Sequence, residues 1–371
     1  MRPTAVLLQH ALRLTFFTRP NCMLCTEAKD VLSKVWDRRH FDYDEIDVMQ
    51  PAGKEWRNLY EFDTPVVHFD KTRELDQTRG TSAKARKLMH RFTEAEVETA
   101  MDDVEQRHNI IMQAANRLQK VLKTGKTSFG GWQMLPGANL SRTIARTPNL
   151  DWICVDTEHG NISDDSMHEC VAAIAACGVS PVVRVPEGQH WMIKRALDAG
   201  AHGLMVPFVR SVEDAKNIVT YSKFPPRGTR GMGSPFSMEK FSPEITQMQY
   251  FQEANDATVV ILQIETAEAL ENVRKIAAVP GVDVLLVGPF DLGNSIGHPI
   301  MQADMDPELH EAIAEIHSAA QESGKWSAIY CRDGEKAKHY AEQGFNMCSA
   351  MTDAVALKKA FGEAFKSAKG G

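Results

Sequence analysis

The chain has 371 residues, of which 43% are hydrophobic and 25% charged, and its formal net charge is -7. This composition excludes a disordered or fibrous chain, and no apolar run approaches the roughly 20 residues that span a bilayer. Residues 1–108 carry 17 Lys and Arg against 19 Asp and Glu, so no basic domain exists to follow a phosphate backbone, and neither nucleic acid nor membrane is expected as a partner. Seven cysteines are too few for a disulfide scaffold, and an odd number argues against complete pairing. Cys154, Cys170, Cys177, Cys331 and Cys348 stand singly in apolar surroundings, where inert buried thiols are the default. That usage fits a reducing compartment, so a cytoplasmic protein is expected. Arg2, Arg13 and Arg19 precede the first acid, Glu27, which leaves a mitochondrial presequence open.

Two segments follow, over residues 10–108 and 109–367. In the first, Leu12–Thr18 reads as a strand. Leu24, Ala28, Val31, Leu32, Val35 and Trp36 then fall on one face of a helix over Cys22–Asp37. Phe41–Val48 alternates like a strand, Glu55–Phe62 is helical, and Val66–Phe69 is a short buried strand, followed by a short strand or turn. Thr93-Glu94-Ala95-Glu96 is a capping box opening a helix over Glu94–Gln106. The basic run Lys84–Arg91 reads as a solvated helix face.

The second segment starts with a helix over Ile110–Lys123, reached by a short connection. Eight short apolar strands follow, near Ser128–Trp132, Trp152–Asp156, Pro181–Val185, Gly203–Pro207, Val259–Glu265, Val284–Gly288, Trp326–Tyr330 and Asn346–Ala350. They alternate with helices such as Asp164–Cys177, Trp191–Ala199, Val212–Ser222, Ala267–Ala278 and Pro307–Ser323. Eight such units predict a (β/α)₈ barrel. An open doubly wound sheet would show a glycine-rich nucleotide turn after its first strand, and none is present.

The first segment carries Arg19-Pro20-Asn21-Cys22-Met23-Leu24-Cys25 between a strand and a helix. A cysteine at a helix N-terminus feels the positive end of the macrodipole, which raises its thiolate fraction, and Arg19 adds charge. Cys25, one turn on, is placed to close the ring, and Thr64-Pro65 before the buried strand is where a cis-proline would face the thiols. Half of a zinc site is the alternative, but no second cysteine pair accompanies it. With Leu14–Cys22 and Asp63–Val67, residues 12–107 resemble the glutaredoxin-like proteins of the thioredoxin fold. The resemblance implies a redox set of Cys22 as nucleophile, Cys25 as resolver and Pro65. No Gly-Gly-x-Asp segment follows Pro65, so glutathione use does not carry over.

A barrel carries its chemistry at the C-terminal ends of its strands. Those ends read Asp156-Thr157-Glu158-His159, Arg184-Val185-Pro186, Gln263-Ile264-Glu265-Thr266 and Gly288-Pro289-Phe290-Asp291. Polar groups at successive apolar strand ends are costly unless partnered. Glu265 and Asp291 offer two oxygen ligands to a hard cation, leaving room for a bidentate 2-keto acid. Arg184 is placed to stabilise the charge on the keto oxygen. His159 is suited to carry a proton, Asp156 to orient it, and the amides after Gly288 to meet the substrate carboxylate. A Schiff-base mechanism needs a lysine at a strand end, whereas Lys194, Lys216 and Lys275 fall in helices.

Residues 116–360 resemble the HpcH/HpaI aldolases, metal-dependent pyruvate aldolases of class II. The likeness rests on Asp156–His159, Val182–Arg184, Lys194–Ala201, Gly203–Pro207, Pro225–Gly231, Gln263–Thr266 and Gly288–Leu292. It implies reversible cleavage of a 4-hydroxy-2-keto acid to pyruvate and an aldehyde. By the same resemblance, Glu265 and Asp291 hold Mg²⁺, Mn²⁺ or Co²⁺, Arg184 and Gln263 contact the pyruvate part, and His159 with Asp156 handles the proton. Phe290, where the family often has a small residue, joins the substrate-contacting positions. The family's hexamers imply a homo-oligomer. Two rivals remain: a citrate-lyase-like acyl-CoA lyase, using Arg227 and Arg230 for the CoA phosphates, and a thiol–disulfide oxidoreductase with an inactive barrel.

Overall fold

The computed structural model describes His10, residues 12–71, Thr81, residues 85–302 and residues 304–370. Arg2 and Lys84, both used in the sequence reading, lie outside the described residues. The chain divides into two compact units, Met1–Ile110 and Ile111–Gly371.

The first unit runs β1 (Leu12–Thr18), α1 (Met23–Trp36), β2 (Asp42–Asp47), α2 (Lys54–Tyr60), β3 (Val66–Lys71), β4 (Arg86–Met89) and α3 (Glu94–Ala115), the last containing the division between units. The strands form one sheet in the order β2-β1-β3-β4. β2 is parallel to β1, whereas β3 and β4 are antiparallel to their neighbours. Successive side chains of a strand point to opposite faces, and both faces are buried here. Leu14, Phe16, Val67 and Phe69 pack with Ala28, Leu32 and Val35 of α1 and with Val97 and Met101 of α3. Phe17 and Val66 pack on the other side with Tyr60 and Val48. The capping box forms as expected: the Thr93 backbone N–H donates to Glu96 (2.8 Å), and the Glu96 N–H donates to the Thr93 hydroxyl (3.3 Å).

The basic run is a correction. Its described part contains strand β4 and not a helix face, with alternate residues half-buried and exposed. Lys87 Nζ donates to the Tyr60 hydroxyl at 2.9 Å.

The second unit opens with α4 (Arg117–Lys123), then runs β5 (Ser128–Gln133), α5 (Ala138–Ala145), β6 (Trp152–Asp156), α6 (Asp164–Ala175), β7 (Ser180–Arg184), α7 (His190–Asp198), β8 (Gly203–Val206) and α8 (Val212–Ser222). It continues α9 (Gln247–Ala257), β9 (Val259–Ile264), α10 (Ala267–Glu271), α11 (Val273–Ala277), β10 (Val284–Val287), α12 (Pro289–Ser295) and α13 (Pro307–Glu322). It ends β11 (Trp326–Ile329), α14 (Gly334–Glu342), β12 (Met347–Thr352) and α15 (Asp353–Ala368). Strands β5 to β12 close into a barrel, every pair parallel. Five of them, β6 to β10, are buried along their whole length, and β5, β11 and β12 each keep one or two half-buried residues. Inside, Trp152, Cys154, Val182, Met205, Ile261, Leu286 and Ala328 fill the barrel.

Two predicted helices are interrupted, each at an asparagine. Ile110–Lys123 divides at Asn116, whose side chain caps α4 by accepting from Gln119 N–H (3.1 Å) and donates to the carbonyls of His202 and Ala257 (2.9 and 2.7 Å). A helical backbone at Asn116 would forfeit that cap. Ala267–Ala278 divides at Asn272, where φ is -102° and ψ 3°. Among the described residues, no helix is long and apolar enough to cross a membrane.

Candidate active site

The register of the barrel assembles the site. β6 and β7 pair with Asp156 directly beside Arg184. Both are buried, Asp156 completely. Arg184 Nε donates to Asp156 Oδ1 at 3.0 Å and Nη2 to Oδ2 at 2.6 Å, a two-point grip. Trp132 Nε1 also donates to Oδ2 (3.1 Å), and the Arg184 guanidinium lies 5.3 Å from a Trp132 ring centroid. Burial disfavours the Arg184 charge, yet the hydrogen bonds and charge of Asp156 outweigh it and raise its pKa.

Asp156 therefore departs from its expected role. It meets His159 only through the backbone, accepting the His159 N–H (3.2 Å) and the Glu158 N–H (3.1 Å). The imidazole, more than half exposed, has Nε2 3.7 Å from Glu158 Oε1. Glu158 Oε2 in turn lies 2.9 Å from Arg184 Nη1. Burial pushes the Glu158 carboxyl up to about 7; Arg184 opposes the shift, while Asp156 and Asp291 add to it.

Glu265, directly after β9, is 2% exposed. It does not cap the following helix, because Thr266 does, accepting from Ala269 N–H at 3.1 Å. The Glu265 carboxylate instead accepts from the Phe208 N–H (2.8 Å) and from Gln263 Nε2 (2.5 Å). Phe208 holds a positive φ of 51°, a conformation that bulky residues rarely adopt. Burial pushes the Glu265 carboxyl up to about 7; the Phe208 N–H opposes this, and the Asp291 and Glu158 charges reinforce it. Asp291 sits in the first turn of α12, which Gly288 precedes. A Cβ on Gly288 would come within 2.6 Å of Glu265 Oε2 and 2.8 Å of Gln263 Nε2, so the close approach requires glycine.

Trp132, Met134, Asp156, His159, Arg184, Gln263, Gly288, Phe290, Asp291 and Tyr330 line one cavity of about 190 Å³. Glu265 adjoins that lining through its hydrogen bond from Gln263. The donor set fits a hard divalent cation. Two carboxylates stand near enough for one to raise the pKa of the other, and Gln263 Oε1 is buried with no hydrogen-bond partner. Hydrogen bonds from the Phe208 N–H and from Gln263 fix the orientation of Glu265, as a cation-holding carboxylate would need.

Sequence reasoning missed Trp132, Tyr330 and the part taken by Glu158. The signal was available for the aromatics, since Trp132 is the penultimate residue of β5 and Tyr330 immediately follows β11. The arginines of the segment Pro225–Gly231 are engaged within the barrel unit. Arg230 is buried, donates to Asp198 Oδ1 (3.0 Å) and the Tyr250 hydroxyl (3.1 Å), and stacks on Phe224. Arg227 pairs with Asp256. Of the two cations that the acyl-CoA alternative invokes, Arg230 is buried and Arg227 is held in an exposed ion pair.

In the first unit Cys22 and Cys25 are joined as a disulfide. Cys22 is the N-cap of α1, its Sγ accepting from the Cys25 N–H at 3.1 Å. The Thr64–Pro65 bond is cis. A cleft lined by Thr18, Arg19, Asn21, Thr26 and Lys29 adjoins the cysteines, and Arg19 Nη1 donates to the Glu61 carbonyl (2.8 Å).

Comparison with known proteins agrees with both units. Residues 13–102 match the glutaredoxin-like domain family, and residues 134–360 match the family HpcH/HpaI aldolase/citrate lyase. A 2-dehydro-3,6-dideoxy-6-sulfogluconate aldolase of Pseudomonas putida is 34% identical, over 67% of this chain and 96% of its own length. A hydroxypyruvate/pyruvate aldolase of Agrobacterium fabrum is 36% identical over 56% and 78%. The crystal structure of an HpcH/HpaI aldolase/citrate lyase family protein from Burkholderia cenocepacia superposes with a TM-score of 0.61 at 32% identity, covering 68% of this chain and 98% of the other. With its barrel matched over most of its length, the chain belongs to the HpcH/HpaI aldolase/citrate lyase family and carries a glutaredoxin-like domain ahead of it.

Proposed function

We infer that the barrel is a carbon–carbon lyase, cleaving a 4-hydroxy-2-keto acid reversibly to pyruvate and an aldehyde. The observation that carries this reading is the convergence of Arg184, His159, Gln263 and Asp291 on one small cavity at the strand ends, with Glu265 hydrogen-bonded to Gln263 of that lining. Glu265 and Asp291 would hold a divalent cation (Mg²⁺, Mn²⁺ or Co²⁺), which supplies Lewis-acid stabilisation of negative charge on the keto oxygen.

Two of the five guanidinium N–H bonds of Arg184 are donated to Asp156, and Nη1 forms an ion pair with Glu158 without a hydrogen bond. The N–H bonds not given to Asp156 are left for the substrate keto oxygen, where charge develops. His159, at the cavity wall, takes the proton of the C4 hydroxyl. The C3–C4 bond then breaks, its electron pair passing to the pyruvate half as an enolate, and the aldehyde departs. A proton added at C3 completes pyruvate. The buried Trp132 and the half-buried Phe290 and Tyr330 limit water around the reacting carbon.

A coupled pyruvate assay tests this. The expected result is cleavage that EDTA abolishes and added Mg²⁺, Mn²⁺ or Co²⁺ restores. Undiminished cleavage in chelator overturns the cation's part, and no pyruvate from any 4-hydroxy-2-keto acid overturns the function. In the first unit the N-cap position of Cys22, bonded to Cys25, supports a dithiol–disulfide pair as a second, separate activity. A homo-oligomer is part of the same reading, by family resemblance.

A further inference from the structure

Four carboxylates gather at the barrel mouth, and the reaction as read above uses three: Asp156 on Arg184, and Glu265 and Asp291 for the cation. Glu158 is the fourth. Its side chain is only 8% exposed, and an anion buried so deeply is unfavourable unless partnered. Arg184 does not need it for neutralisation, because Asp156 already grips the Nε and Nη2 edge at 3.0 and 2.6 Å. Glu158 reaches the other side of the guanidinium, Oε2 to Nη1 at 2.9 Å, and presents Oε1 to His159 Nε2 at 3.7 Å.

The contact with His159 is longer than a hydrogen bond and becomes an ion pair when the imidazole is protonated. Asp156 fixes only the His159 backbone, and among the described residues the ring has no other ion pair or hydrogen bond. We propose that Glu158 is a positioning residue of the cleavage reaction, a carboxyl that ties His159 to Arg184 so that the proton carrier and the keto-oxygen donor keep a fixed separation across the cavity. The inference rests on the aldolase reading. A misplacement of about 1 Å at a proton-transfer group costs on the order of 10²-fold in rate. A half-exposed imidazole without a tether would move by that much.

The test is steady-state cleavage by the full-length protein with its divalent cation added. Glu158→Gln keeps the shape and an oxygen for Arg184 Nη1 but removes the charge opposite His159. The expected result is a kcat lower by about 10–100-fold with KM for the keto acid changed less than about twofold. Glu158→Asp, a carboxylate set back by one methylene, should recover part of the lost kcat. In a His159→Ala background, Glu158→Gln should cost less than about twofold more, since coupled residues are not additive. A lower melting temperature with kcat and KM unchanged in the folded enzyme would mark a merely structural carboxyl and overturn the proposal. So would a rise in KM at constant kcat, which places Glu158 on Arg184 alone. A wild-type protein that releases no pyruvate overturns the function reading and this inference with it.

Discussion

In the first unit Cys22 and Cys25 stand three residues apart at the start of α1. The barrel mouth instead draws Trp132, Asp156, Arg184, Gln263, Asp291 and Tyr330 from six strands or the turns just beyond them. The first arrangement is local: one helix terminus and one loop set its geometry, so it survives changes elsewhere in the sheet. The second is cooperative. Arg184 is buried because Asp156 neutralises it, Asp156 is held by Trp132, and Glu265 is oriented by Phe208 and Gln263. Mutual dependence of this kind makes single substitutions expensive in the barrel and cheap at the cysteines.

Four substitutions would sharpen that contrast or break it. The largest effect is expected from Glu265→Ala or Asp291→Ala, each lowering pyruvate formation by about 10³-fold or more at saturating Mg²⁺. Activity above a tenth of wild type would remove the carboxylate pair from the chemistry. Next, Asp156→Ala leaves the Arg184 guanidinium buried beside Trp132 without its main partner. Stability should fall by about 3–5 kcal/mol, the usual cost of breaking a buried pair from one side, read as a lower denaturant midpoint at unchanged slope. A midpoint equal to wild type would show that Glu158 alone satisfies Arg184. The smallest effect is expected from Cys22→Ser, which should leave keto-acid cleavage within about twofold while removing any disulfide chemistry. A large loss of cleavage in that variant would mean that the two units communicate, and the contrast drawn here would fail.

Much of this was legible in the chain. The eight strands carry their own signal, being short, apolar and bounded by helices, and all eight fall where periodicity places them. The capping box at Thr93 and the cysteine motif are equally local, as is the run of polar residues after each strand. What sequence did not give were facts of pairing. Asp156 and His159 are near in sequence and suggest a dyad, but β6 and β7 align Asp156 with Arg184, a residue 28 positions away. Glu158 likewise meets Arg184 only once β6 and β7 pair. The divisions at Asn116 and Asn272 were hidden for a related reason. Asparagine is tolerated within a helical pattern, and the carbonyls that recruit Asn116, on His202 and Ala257, are remote in the chain. The strand assignment of Arg86–Met89 depends on a partner, β3, that composition does not reveal.

Closure of the barrel has a consequence for how this enzyme comes into being. Asp156 and Arg184 are neighbours as soon as two consecutive strands pair, but Glu265 and Asp291 arrive only with the later half of the sheet. A nascent chain that has made only β5 to β8 therefore lacks both carboxylates proposed to hold the cation. On that proposal, turnover would itself be a readout of a finished ring.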